Sequence, residues 1–194
     1  MFCSAQIVLP QSGNVALLGG DNWLPASGPT NNRGNNDSNV FVTGTPQLQR
    51  GPDMNRPRWY ATMTTMINGD VYVQGGRDGI DRPEIRSATT GSFRLLSGVN
   101  TTSLNWWYPR NFVAPDPPTA AAPLGRIFGI ADRTMYYVNP AGNGSLNIVG
   151  NLASALPNGH TSSAVMFRPG KILLVGGGVQ QHQYDGRQEH GRGD

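Results

Sequence analysis

Asn68-Gly69-Asp70-Val71-Tyr72-Val73-Gln74-Gly75-Gly76 is a turn, an apolar run and a glycine pair in close succession, and its reading decides the fold class. The same grammar returns as Ser12-Gly13-Asn14-Val15-Ala16-Leu17-Leu18-Gly19-Gly20 and as Pro169-Gly170-Lys171-Ile172-Leu173-Leu174-Val175-Gly176-Gly177. A fourth copy, Gly125-Arg126-Ile127-Phe128-Gly129-Ile130, ends in Ala131-Asp132 instead of a glycine pair. Apolar residues come throughout in short alternating runs broken by Gly, Pro, Asn and Asp, the pattern of half-buried strands rather than of helices. With 26 Gly and 15 Pro and only 14% charged residues, the chain reads as a turn-rich all-β protein.

The copies recur on the order of fifty residues apart, the period of blades in a kelch-type β-propeller. Glycine pairs suit the ends of inner strands, where backbones crowd and a Cβ would clash. Asn39-Val40-Phe41-Val42, Trp106-Trp107-Tyr108 and Met135-Tyr136-Tyr137-Val138 are expected to supply outer strands. About four blades fit this length, too few to close a ring, so an incomplete propeller over residues 1–178 is expected. Beyond Gly178 the sequence turns wholly polar, and residues 179–194 are expected to form a disordered tail. Residues 117–123, Pro-Pro-Thr-Ala-Ala-Ala-Pro, form a low-complexity insert where a two-residue turn would suffice.

The net charge of +3 is carried by scattered arginines and a single lysine, Lys171, with no accompanying nucleic-acid module, so no nucleic-acid partner is expected. No apolar run reaches the length of a membrane span, and no membrane association is expected. The start, Met1-Phe2-Cys3-Ser4-Ala5-Gln6, lacks the basic and apolar regions of a secretory signal, so any export signal is expected upstream. One cysteine gives no intramolecular disulfide.

That cysteine, Cys3, stands ahead of the first glycine-pair unit, and Tyr60 in Arg58-Trp59-Tyr60-Ala61-Thr62 stands at a related place ahead of the second. A thiol and a phenol brought together on adjacent sheets can be joined by copper and oxygen into a thioether, a redox-active side chain. Taken without context, Cys3 also reads as a small buried hydrophobe and Tyr60 as a core tyrosine with a bonded hydroxyl.

Met1-Phe2-Cys3, Arg58-Trp59-Tyr60-Ala61-Thr62, Gly75-Gly76-Arg77 and Ala164-Val165-Met166-Phe167 before Gly170-Lys171-Ile172-Leu173 together resemble the galactose oxidase and glyoxal oxidase family of copper radical oxidases. The likeness is closer to the glyoxal oxidase-like branch. It implies a secreted oxidoreductase whose tyrosyl radical, cross-linked to cysteine and bound to copper, oxidises a small alcohol or aldehyde and reduces O2 to H2O2. Cys3 then matches the cross-linking cysteine, and Tyr60 the tyrosine that is both cross-linked and a copper ligand. A thioether donates electron density to the phenol ring and lowers the potential at which the phenoxyl radical forms.

The family's other copper ligands, a Tyr-His pair and a further His, belong to later blades. His160, His182 and His190 match none of them and read as surface or loop histidines. Asp78 stands where galactose oxidase has the tryptophan stacked on its cross-linked tyrosine. Trp59 is expected to point to the opposite face from Tyr60 and to lie in the core, because strand residues alternate. The resemblance thus implies the N-terminal blades of an oxidase, inactive alone for lack of the later ligands. The alternative is a non-catalytic kelch-like module whose loops bind a protein or a glycan, with cell-wall association, using exposed aromatics such as Trp23, Trp106 and Tyr108.

Overall fold

A computed structural model describes residues 3–22, 33–153 and 162–177. The protein is all-β there, with a single 3-10 turn at Arg77–Gly79. Three four-stranded antiparallel meanders follow one another. The first holds β1 (Ala5–Val8), β2 (Val15–Leu18), β3 (Ser38–Val42) and β4 (Gln47–Arg50). The second holds β5 (Ala61–Thr65), β6 (Val71–Gly75), β7 (Glu84–Arg86) and β8 (Phe93–Leu95). In the third, β9 (Arg110–Val113), β10 (Ile127–Ala131), β11 (Thr134–Asn139) and β12 (Ser145–Asn151) again lie in sequence order. A fourth unit is the hairpin of β13 (Ser163–Arg168) and β14 (Lys171–Val175).

The sheets pack face to face through two apolar layers. Ala5, Leu9, Ala16 and Leu18 of the first sheet meet Ala61, Val71 and Val73 of the second. Tyr72, Ile85 and Leu96 on the other side of the second sheet meet Ile127, Tyr136 and Val138 of the third. β6 is buried along its whole length because it serves both layers, Val71 and Val73 one way and Tyr72 and Gln74 the other. That is why Val71-Tyr72-Val73 is a continuous apolar run.

Contact between neighbouring sheets runs through their first strands: β1 meets β5, β5 meets β9, and β9 meets β13. The glycine-pair strands β2, β6 and β14 are second in their sheets, and the strand before each makes the contact with the neighbouring sheet. The crowding expected at the glycines is present at Gly19, Gly75 and Gly76, where its source is the segment Arg58-Trp59 and its counterpart at Trp106–Pro109, but an added Cβ at Gly176 meets nothing within 4 Å. A Cβ on Gly19 would lie 2.3 Å from the Arg58 carbonyl oxygen, and one on Gly76 2.9 Å from the Arg58 Cα. A Cβ on Gly75 would lie 2.6 Å from Pro109 and 2.8 Å from the Trp106 carbonyl oxygen.

Two other expectations change. Trp106-Trp107-Tyr108 is not a strand but the loop entering β9, since Pro109 carries no N–H for a ladder. Residues 117–123 fold as a compact turn, held by a Thr119 to Ala122 bridge and by the Asn139 side-chain amide donating to the Ala121 carbonyl. Ala131-Asp132 keeps the positive φ of the glycine pair at its second position only: Asp132 has φ 49°, where Gly20 and Gly76 have 104° and 85°. The polar tail expected over 179–194 lies outside the described residues.

Candidate active site

Strand register places three chemically active side chains at one equivalent position. Leu18, Gln74 and Ile130 pair with Ala5, Thr62 and Arg110 respectively, and two residues upstream of those partners stand Cys3, Tyr60 and Tyr108. All three adopt positive φ, 58°, 70° and 42°, a conformation that bulky residues rarely take. A backbone ladder joins them across the sheets: the Tyr60 N–H donates to the Cys3 carbonyl at 3.1 Å, and the Tyr108 N–H donates to the Tyr60 carbonyl at 3.0 Å. The ends of the second strands repeat the pattern. The Gly20 N–H donates to the Arg58 carbonyl at 2.8 Å, and the Gly76 N–H donates to the Trp106 carbonyl at 2.9 Å.

The segment that presents Tyr60 is anchored by a buried ion pair. Arg58 and Glu84 have no side-chain exposure, and the guanidinium Nη2 lies 2.8 Å from Glu84 Oε1. Nη1 donates to the carbonyls of Gly75 and Gly79, and Nη2 also to that of Arg82. Glu84 Oε2 accepts the Asn55 N–H at 2.6 Å and its side-chain amide at 2.8 Å, while Oε1 accepts the Arg56 N–H. Every polar direction of the pair is used, which makes a buried charge tolerable. One residue on, the chain is thereby fixed where Trp59 and Tyr60 project. Glu84 carried no signal in the sequence, since it opens β7 and its partner lies 26 residues away in the segment before β5.

Cys3 and Tyr60 are neighbours through the backbone, by the Tyr60 N–H bond to the Cys3 carbonyl. Burial, followed by the influence of the Cys3 side chain, pushes the Tyr60 phenol up to about 12. Burial raises the Tyr108 phenol as well. Tyr108, expected in a short strand and among the exposed aromatics, is half-buried in the loop before β9.

Trp59 departs from its expected place. Its ring stacks on Tyr60 with centroids 4.2 Å apart and planes 28° apart. Alternation fails because the positive φ of Tyr60 turns the chain where a regular strand would have sent the two side chains to opposite faces. Trp107 also stacks on Tyr60, at 5.1 Å, and the Arg77 guanidinium lies over Trp59 at 5.1 Å. Asp78 contributes no ring; its carboxylate accepts the Gly34 N–H at 2.5 Å, tying the first sheet to the second.

The cluster opens into a cleft of about 580 Å3, lined by Tyr60, Thr62, Trp107, Tyr108, Arg110 and Ser162 among others. Arg110 is held over it by the Ser162 carbonyl, which its Nε contacts at 3.0 Å, and burial lowers its pKa. Among the described residues no three His, Cys, Asp or Glu side chains gather as a metal group. His160, His182, His190 and Trp23 lie outside the described residues. No described helix is long and apolar enough to cross a membrane.

Sheets of this order, meeting through their first strands, form a fold shared with part of a copper-containing oxidase. The solved structure is a fungal alcohol oxidase of the AA5 family in complex with copper, 19% identical, with a TM-score of 0.66. The likeness covers 92% of this chain and 36% of the oxidase, so the chain spans about a third of its length. No protein-family model and no curated protein matches the sequence.

Tyr60 and Tyr108 line the cleft, and a phenol oxygen is a donor that copper accepts.

Proposed function

We propose that this chain is an arc of a kelch-type β-propeller from a copper radical oxidase of the galactose oxidase and glyoxal oxidase kind, secreted and acting on a small alcohol or aldehyde. The observation that carries this reading is the register-equivalent placing of Cys3 and Tyr60 on adjacent sheets, joined by the Tyr60 N–H bond to the Cys3 carbonyl at 3.1 Å. Contact through successive first strands supports the radial array.

Tyr60 would hold the metal through its phenol oxygen and, as a thioether with Cys3, store one oxidising equivalent as a radical. Copper, when bound, would supply the second equivalent and pass electrons to O2. The stacked rings of Trp59 and Trp107 keep water from the face of the Tyr60 ring, and the cleft admits the substrate beside it. The histidine ligands of such a site are assigned to parts of the oxidase outside the described residues, so the chain alone is proposed to be inactive.

Peptide mapping after exposure to copper(II) and O2 tests the reading. The expected result is a reductant-resistant link between the Cys3 and Tyr60 peptides, with the loss of two hydrogens. A thiol that stays free and alkylatable would defeat it. A non-catalytic glycan-binding module is the second reading, favoured by the aromatic wall of the cleft, where Trp107 and Tyr108 present rings to a sugar. Sugar binding without any link or copper uptake would select it.

A further inference from the structure

Two arginines are buried around the second sheet, and only one of them is matched. Arg58 spends its guanidinium on Glu84 and on three backbone carbonyls. Arg86 closes β7, paired with Val71 of β6 and Phe93 of β8, and is 7% exposed. Its guanidinium makes one hydrogen bond among the described residues, a long one of 3.4 Å from Nη1 to the Ser87 carbonyl. Nε is buried with no acceptor at all. Burial lowers the Arg86 pKa, and no carboxylate offsets that effect.

The groups around Arg86 are committed elsewhere. Asp70 Oδ1 accepts the Ala88 N–H and its Oδ2 the Asn68 side-chain amide, each at 2.8 Å. Asp53 is paired with Arg50, and the Ser87 hydroxyl oxygen accepts the Thr89 and Thr90 N–H groups. Gly91, at a φ of 74°, keeps the tip of the guanidinium uncovered: a Cβ there would lie 3.0 Å from Nη2 and 3.8 Å from Pro52.

We propose that the Nε–Nη2 edge of Arg86 is an oxyanion site that takes a small carboxylate. The two N–H bonds along that edge are parallel and match the two oxygens of a carboxylate. A buried cation is costly without a counter-charge and without acceptors for its hydrogens, and a bound carboxylate supplies both. A planar group, rather than a tetrahedral phosphate, suits a guanidinium with so little exposure. Val71 pairs with Thr65 and Arg86 while Gly75 pairs with Ala61, so Arg86 stands at the end of the second sheet away from Tyr60. The site is therefore independent of the copper reading.

Thermal unfolding of the full chain tests it, with sodium acetate replacing sodium chloride at constant ionic strength, beside the same series in Arg86→Met and a phosphate series in wild type. A ligand held only by the folded chain raises the midpoint as its concentration rises. That rise is expected with acetate in wild type and is expected to be lost in Arg86→Met. An equal response in both chains is a general salt effect and overturns the site, and a rise with phosphate but not acetate overturns the carboxylate. Should Arg86→Met fail to fold, the Nε–H resonance of Arg86 in wild type decides: a saturable shift with acetate is expected, and a resonance that acetate leaves unmoved overturns the proposal.

Discussion

The related places of Cys3 and Tyr60 were legible in the sequence, but Tyr108 as the third such position was not, because that depends on a left-handed backbone at each and on pairing with strands a turn away. The same twist hid the stacking of Trp59 on Tyr60, which strict alternation forbids. Burial, followed by the influence of the Cys3 side chain, makes Tyr60 a weak acid, and the sign of its pH effects follows. The folded chain binds this proton more tightly than the unfolded chain, so the contribution to stability is complete below pH 10 and is lost as pH rises from 10 to about 12. Copper needs the deprotonated oxygen, so its apparent affinity is expected to rise about tenfold per pH unit below that value, read by titration at several pH values. An affinity independent of pH would mean that Tyr60 oxygen is not a ligand. Arg58 makes a second residue-scale prediction. Arg58→Met leaves Glu84 buried without its cation and is expected to cost about 3–5 kcal/mol in urea unfolding, where a surface arginine such as Arg50 would cost under about 1 kcal/mol.

Among elements, the strands themselves were legible from alternation and turn residues, and β2, β3, β6, β10, β11 and β14 fall where the patterns put them. Their order within each sheet was not. Glycine pairs report that something comes close, without saying what, and at Gly19, Gly75 and Gly76 it is a segment leading into a first strand, Arg58-Trp59 or Trp106–Pro109. Gly13 and Gly19 separate the two demands a glycine can meet. Both have positive φ, 70° and 63°, but an added Cβ meets nothing within 4 Å at Gly13 and lies 2.3 Å from a carbonyl oxygen at Gly19. Gly13→Ala is expected to cost only the left-handed backbone penalty, about 1–2 kcal/mol. Gly19→Ala must also displace Arg58 and with it the Tyr60 ladder. It is expected to lower the denaturation midpoint by more and to slow closure of the Cys3 link, whereas Gly13→Ala leaves that link untouched.

At the scale of the whole molecule, successive sheets cover one another until the last, and the last is the least covered. The β13–β14 hairpin pairs Val165 with Leu173 and Ser163 with Val175, so Val165, Phe167, Leu173 and Val175 lie on one face of it. Each of those four apolar side chains is about half exposed or more, from 49% to 59%, whereas Val71, Tyr72 and Val73 at the centre of the second sheet are fully buried. The chain's period announced a fourth unit, but nothing in the sequence told that this face would be bare, since Ile172-Leu173-Leu174-Val175 reads much like Val71-Tyr72-Val73. Apolar surface of this kind drives association in water, and among the described residues no strand pairs with the outer edge of β14. The isolated chain is therefore expected to self-associate with rising concentration in size-exclusion and sedimentation measurements. Val165→Lys with Leu173→Lys places like charges directly opposite each other on that face, and it should return the chain to monomer while leaving the Cys3 to Tyr60 link unaffected, because both sites lie in other sheets. A wild-type chain that stays monomeric at high concentration would show that the face is covered within the chain itself.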